Sequence, residues 1–163
     1  MPENIPPLDP LPTCRTIDEV VAAIDSIIMW SIGVSSRLGY FAALYKRITL
    51  AVGVAIEQHV FQDGARMERF DVEFAERYFA ALNGYFHPDR YGKPAHSWQV
   101  TFDSAHLEQP ILVQHMLAGV NAHIGLDLGI VAQNVAGGAQ LQSLREDFNR
   151  LNAVLASQVN GVV

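Results

Sequence analysis

His123 and Asp127 stand four residues apart in a long, mostly apolar run, Ile111 to Gly138. On a helix, which turns by about 100° per residue, that spacing puts both side chains on one face, about 5–6 Å apart at Cβ. Three kinds of chemistry follow. An imidazole titrates near neutrality, and a carboxylate beside it can orient it and stabilise its protonated form, giving an acid–base pair. The same two groups ligate zinc or iron, with further ligands needed from elsewhere, for which His59, Asp71 and Glu68 are the candidates. The third reading is a buried polar cluster, with Asp127 paired to Arg47 or Arg77 and His123 bonded to a carbonyl or to Tyr78. Spacing alone leaves all three open.

The helix that must position these groups is expected at about 110–136, with Pro110 in its first turn and Gly137-Gly138 at its end. Gly119, His123, Asp127, Ile130 and Asn134 share one side of it. Gly119, Gly125 and Gly129 each cost up to about 1 kcal/mol of helix propensity, which suggests close approach of a neighbouring helix or a ligand. The run is too polar for a bilayer span, since it carries Gln114, His115, Asn121, His123, Asp127, Gln133 and Asn134. It reads as a central helix buried in protein. His115 is rotated by about 80° from His123 and reaches the pair only at a stretch. His87, His96 and His106 fall in or beside loops.

Around it, residues 1–15 hold five prolines and read as an extended leader. Residues 16–163 read as one helical domain. Thr16 and Glu19 form a capping box for a first helix with Val20, Ile24, Ile27 and Ile28 inward. A second helix, about Ser36 to Phe61, presents Tyr40, Leu44, Ile48, Val52, Ile56 and His59. A third, about Ala65 to Leu82, turns Phe70, Phe74 and Tyr78 inward and ends at Asn83-Gly84. A short helix from Ser97 to Ser104 has Trp98 and Phe102 one turn apart. The last, about Leu141 to Val159, buries Leu144, Phe148, Leu151 and Leu155 and turns its charges outward. The fold class expected is all-α, a bundle of about five to six helices.

Composition narrows the function. The net charge is −6 and no Lys/Arg cluster exists, which argues against nucleic acid or an anionic membrane as partner. A single cysteine, Cys14, permits no internal disulfide, and a cytoplasmic location is expected. No signal-peptide pattern, nucleophile elbow, P-loop, dinucleotide fingerprint, H-E-x-x-H or C-x-x-C occurs. The high apolar fraction suggests a homodimer.

Five segments together resemble a bacterial family of small helical proteins of unknown function. They are 39–49, 69–79, Trp98 with Phe102, 117–128, and 147–152. The Asn-Ala-His-Ile-x-x-Asp-Leu segment is its most specific motif. The resemblance spans about 17–156. It implies that Asn121, His123 and Asp127 act as a set with Asp71 and Trp98, and that the position of His115 is usually apolar. Zinc-dependent phospholipases and nucleases also use His-x3-Asp on helices, but their other ligand motifs are missing here.

The leading expectation is therefore a small-molecule binding protein or enzyme with its pocket inside the bundle. His123 would be its acid/base or ligand group, oriented by Asp127, with Asp71 as second carboxylate and Asn121, Trp98, Tyr78 and Arg47 as ligand contacts. The alternatives are a structural or interaction protein in which these residues brace the core, and a metal-dependent hydrolase holding a divalent ion through His123, Asp127 and His59 or Asp71.

Overall fold

The structure, a computed structural model, describes residues 6–107, 111–135 and 141–159. Among these residues there are helices and no strand. α1 (Ile17–Gly33) begins where the Thr16 hydroxyl accepts from the Glu19 amide, and it buries Val20, Ile24 and Ile27. The Glu19 carboxylate reaches back to the Arg15 amide, one residue before the usual capping-box partner. α1 packs along α2 (Leu38–Glu57), which also touches α3, α6 and α8. α3 (Gly64–Phe86) starts at Asp63, whose carboxylate accepts from the Arg66 amide. A one-turn α4 (Pro88–Tyr91), then α5 (His96–Ser104), lead to the segment that carries His123.

Several boundaries and faces differ from expectation. α2 buries Phe41, Ala42, Tyr45, Thr49 and Val52, while Tyr40 is 40% exposed. This helix is apolar over most of its circumference, so its stripe alone could not fix which side faces in. Among the described residues it is also the one helix that is long and apolar enough to cross a bilayer, by length and composition. α3 runs through Asn83-Gly84 to Phe86, four residues past the expected end at Leu82, because Asn83 is used from within the helix. Its side chain donates to the Leu11 carbonyl and accepts from the Leu11 amide. The extended residues before α1 are thereby pinned down, with Leu8, Leu11 and Cys14 in the core. Burial, with Glu76 and Glu19 nearby, pushes the Cys14 thiol up to about 11. α5 begins at His96, one residue before the expected Ser97, with Ala95 at its N-cap.

The expected central helix is three pieces: α6 (Leu112–Ala122), a π-helical turn at His123–Asp127, and α7 (Leu128–Val135). It is also not buried all round. His115, Gly119, Ala122, His123, Asp127 and Val131 face in, while Leu112, Val113, Leu117, Ile124 and Ile130 are exposed. The centre of the bundle is α2 with α3. An apolar sequence specifies a face that avoids water, not which body will cover it. Pro110 and Gly137-Gly138 lie outside the described residues.

α8 (Leu141–Val159) has the expected limits and inward Leu144 and Leu151. One of its charges does not point outward. Asp147 is fully buried and accepts from the Gln62 and Asp63 amides, from Arg66 at 2.7 Å and from Arg150 at 3.2 Å. Burial opposes its ionisation, but those donors hold the carboxyl below the usual carboxylate range. It ties α8 to the start of α3.

Candidate functional site

Three elements converge on Asp127, which is 1% exposed. Arg77 Nε, from α3, donates to Oδ1 at 3.1 Å. Trp98 Nε1, from α5, donates to Oδ2 at 3.0 Å. His123 Nδ1, four residues back, lies 3.3 Å from Oδ2. Burial works against ionisation here too, but the hydrogen bonds from His123, Trp98 and Arg77 hold the carboxyl below the usual range. Of the two arginines expected to pair with Asp127, Arg77 does so. Arg47 is exposed on α2 and binds Gln158 instead, so it is not part of this site.

His123 is 3% exposed. Its ring stacks on Phe74 with centroids 3.5 Å apart and planes 10° apart. The ring of Tyr45 meets it edge-on at 4.8 Å, and Phe41 at 5.9 Å. Burial lowers the imidazole's pKa, and the hydrogen bond and charge of Asp127 only partly offset this. The ring is therefore neutral near pH 7. An ionised carboxylate can only accept, so the proton sits on Nδ1 and Nε2 carries the lone pair. That Nε2 is buried and has no hydrogen-bond partner.

The local sequence explains the approach of these rings. Gly119 lies one turn before His123, directly over Phe41. A Cβ at Gly119 would stand 2.4 Å from Phe41 Cγ, so only glycine lets α6 settle on α2. At Gly125 and Gly129 an added Cβ would meet nothing within 4 Å. Those two glycines line open space and leave room rather than making close contact.

His123 forms part of the wall of a cavity of about 280 Å³ between α2, α3, the π-turn and α8. Phe41, Tyr45, Phe70, Phe74 and Phe148 supply rings, and Ile48, Val52, Leu128, Leu151 and Leu155 supply aliphatic surface. Exposed Ile124 and Asn152 stand where it meets solvent. Asp71, 6% exposed, lines the same cavity, and its Oδ2 has no hydrogen-bond partner. Burial, helped by the charge of Glu68, pushes the Asp71 carboxyl up to about 7.

Other expected residues lie elsewhere. Asn121 is exposed, because a residue two positions before His123 is about 200° round the helix. Tyr78 is in the core, edge-on to Phe41 and Tyr45 and 6.2 Å from the His123 ring, and Trp98 bonds Asp127 with its ring 5.8 Å from that of His123, but neither lines the cavity. His59 is exposed in a left-handed turn (φ 54°) just past α2. Among the described residues, no three His, Cys, Asp or Glu side chains are close enough to hold a metal ion together, so the ligand set of His123, Asp127 and His59 is not assembled. His115, expected at the margin, is buried near Phe41, Tyr78 and Trp98. His87, at the loop after α3, bonds the Leu8 carbonyl at 2.6 Å.

Sequence reading missed Phe41 and Tyr45 as walls of the site. Their i, i+4 spacing on α2 opposite Gly119 was the available signal. The π-turn left no such signal.

The sequence pattern of the family described as "Family of unknown function (DUF5995)" matches residues 17–163. No curated protein and no solved structure matches the chain.

Proposed function

The chain belongs to this family of unknown function, and we propose that it is a small-molecule binding protein or enzyme whose ligand enters the cavity beside His123. One observation carries the reading. A buried imidazole is fixed in one tautomer by a carboxylate that is itself held by Arg77 and Trp98, yet the second nitrogen of this cavity-lining ring is buried without a partner. A buried polar atom without a partner costs about 1–3 kcal/mol. A fold that only needed bracing would have no reason to keep it. Apolar walls with a few placed polar groups are the usual make-up of a ligand site, and the volume is near the lower end, about 300 Å³, of such pockets. If the protein is an enzyme, His123 Nε2 is the base and Asp127 stabilises the imidazolium it becomes. Pre-set tautomers of this kind are how histidine bases are held ready.

The bracing role has support at Asp127, which joins α3, α5 and the π-turn through its three donors. That role does not extend to Nε2. The two are separated by melting wild type and His123→Gln with a panel of small apolar molecules, each bearing one polar group, and with zinc, manganese and iron. We expect at least one organic member to raise the wild-type Tm and not that of the variant. An unmoved wild-type Tm beside a strongly destabilised variant would leave only the brace.

A further inference from the structure

Three buried side-chain atoms on residues that line the cavity have no hydrogen-bond partner, His123 Nε2, Asp71 Oδ2 and the Tyr45 hydroxyl, and of these only the hydroxyl can both donate and accept. The first is an acceptor by tautomer, and an ionised Asp71 accepts only. No lysine or arginine lines the cavity, so an anionic ligand would meet no counter-charge and would face a carboxylate. The remaining wall is aromatic faces and aliphatic carbon, and aromatic faces attract cations held within about 6 Å of the ring centroid. An apolar cage with one unpaired carboxylate lacks a positive group.

We propose that the cavity takes an organic ammonium ion with an apolar body. Its N–H groups donate to Asp71 Oδ2, with His123 Nε2 as second acceptor, and its body lies among Phe41, Phe70 and Phe74. This rests on the small-molecule reading above and names the ligand's class. An ammonium nitrogen brings up to three donors, enough for both acceptors, and its charge gives the buried carboxylate the partner a buried ion needs. Size is consistent: a dry cavity of about 150 Å³ accepts benzene, so 280 Å³ accommodates a ring and a short chain. Glu68 on the same helix adds negative potential near Asp71, and Tyr45 faces it from α2.

The test compares phenethylamine, phenethyl alcohol and phenylacetate, which share a ring and differ in charge. Each is titrated at millimolar concentration into wild type and Asp71→Asn. The readouts are Tm and the His123 ring resonances. The expected result is that the amine alone shifts both in wild type and binds roughly tenfold more weakly, or worse, to Asp71→Asn. Binding of the amine unchanged in Asp71→Asn overturns the assignment of Asp71. A response to the alcohol or the carboxylate but not to the amine overturns the cationic class and leaves the small-molecule reading standing. No response to any probe overturns both.

Discussion

Asp71 gives the sharpest prediction at the scale of a residue. In the fold its carboxyl holds a proton up to about pH 7, whereas an unfolded aspartate releases it near pH 3.9, an approximate reference value. Between those limits the folded state binds the extra proton, so stability falls as pH rises and levels off above about 7. Replacing Asp71 by Asn should remove that fall. The variant should match wild type near pH 4 and exceed it near pH 8 by on the order of 2–4 kcal/mol, read from urea unfolding at each pH. Identical profiles would mean that Asp71 is not held protonated. His123 works in the opposite direction. Its folded pKa is depressed by burial, so its share of stability is intact above the unfolded value of about 6.5 and is lost as pH falls below it. His123→Gln should flatten the acid limb of the profile. The sequence made His123, Asp127 and Arg77 legible through spacing and charge. It could not show that Asn121 faces water, because a motif written in one dimension does not state which of its members share a face.

Among the elements, the π-turn and the glycine before it set the site's geometry. Gly119→Ala would drive a methyl into Phe41. It should cost about 1–3 kcal/mol, as overpacking does, while also shifting a cavity wall. By contrast, Gly125→Ala meets open space and should gain several tenths of a kcal/mol from helix propensity, up to about 1. Equal effects of the two substitutions, measured by thermal melts, would contradict the placement of Phe41 beneath Gly119. At the other end of the bundle, Asp147→Ala would remove the carboxylate to which the buried Arg66 and two amides donate. It should cost about 3–5 kcal/mol, the usual result of breaking a buried pair. Helices were legible from caps and periodicity: Thr16, the stripe of α1 and the whole extent of α8 needed nothing else. α2 was ambiguous because it is apolar on too many sides. Asp147 was misplaced because an aspartate on an amphipathic helix is ordinarily solvated, and only the folded start of α3 supplies its donors.

For the molecule as a whole, the exposed residues Leu112, Val113, Leu117, Ile124 and Ile130 form the surface on which the expected self-association would rest. If two copies meet there, sedimentation velocity should give a dimer that Leu117→Lys converts to monomer. A wild-type monomer at all concentrations would remove that expectation. The all-helical architecture was readable because each level of the sequence agreed with it: caps, periodicity and the absence of strand patterning. A pocket inside the bundle with His123 and Asp71 was expected, but its aromatic and aliphatic walls were not, since the cavity arises where four elements fail to fill the space between them, and no single element encodes that.

The proposed site depends on His123 standing as a neutral imidazole with its proton on Nδ1 and an unpartnered acceptor at Nε2. Nitrogen-15 NMR of the imidazole, followed from neutral pH downward, tests it most directly. The expected spectrum is that of an Nδ1–H ring whose Nε2 resonates as an unprotonated nitrogen, titrates below the usual histidine range and shifts when a ligand enters the cavity. A ring already protonated at neutral pH, or one whose proton sits on Nε2, would contradict it.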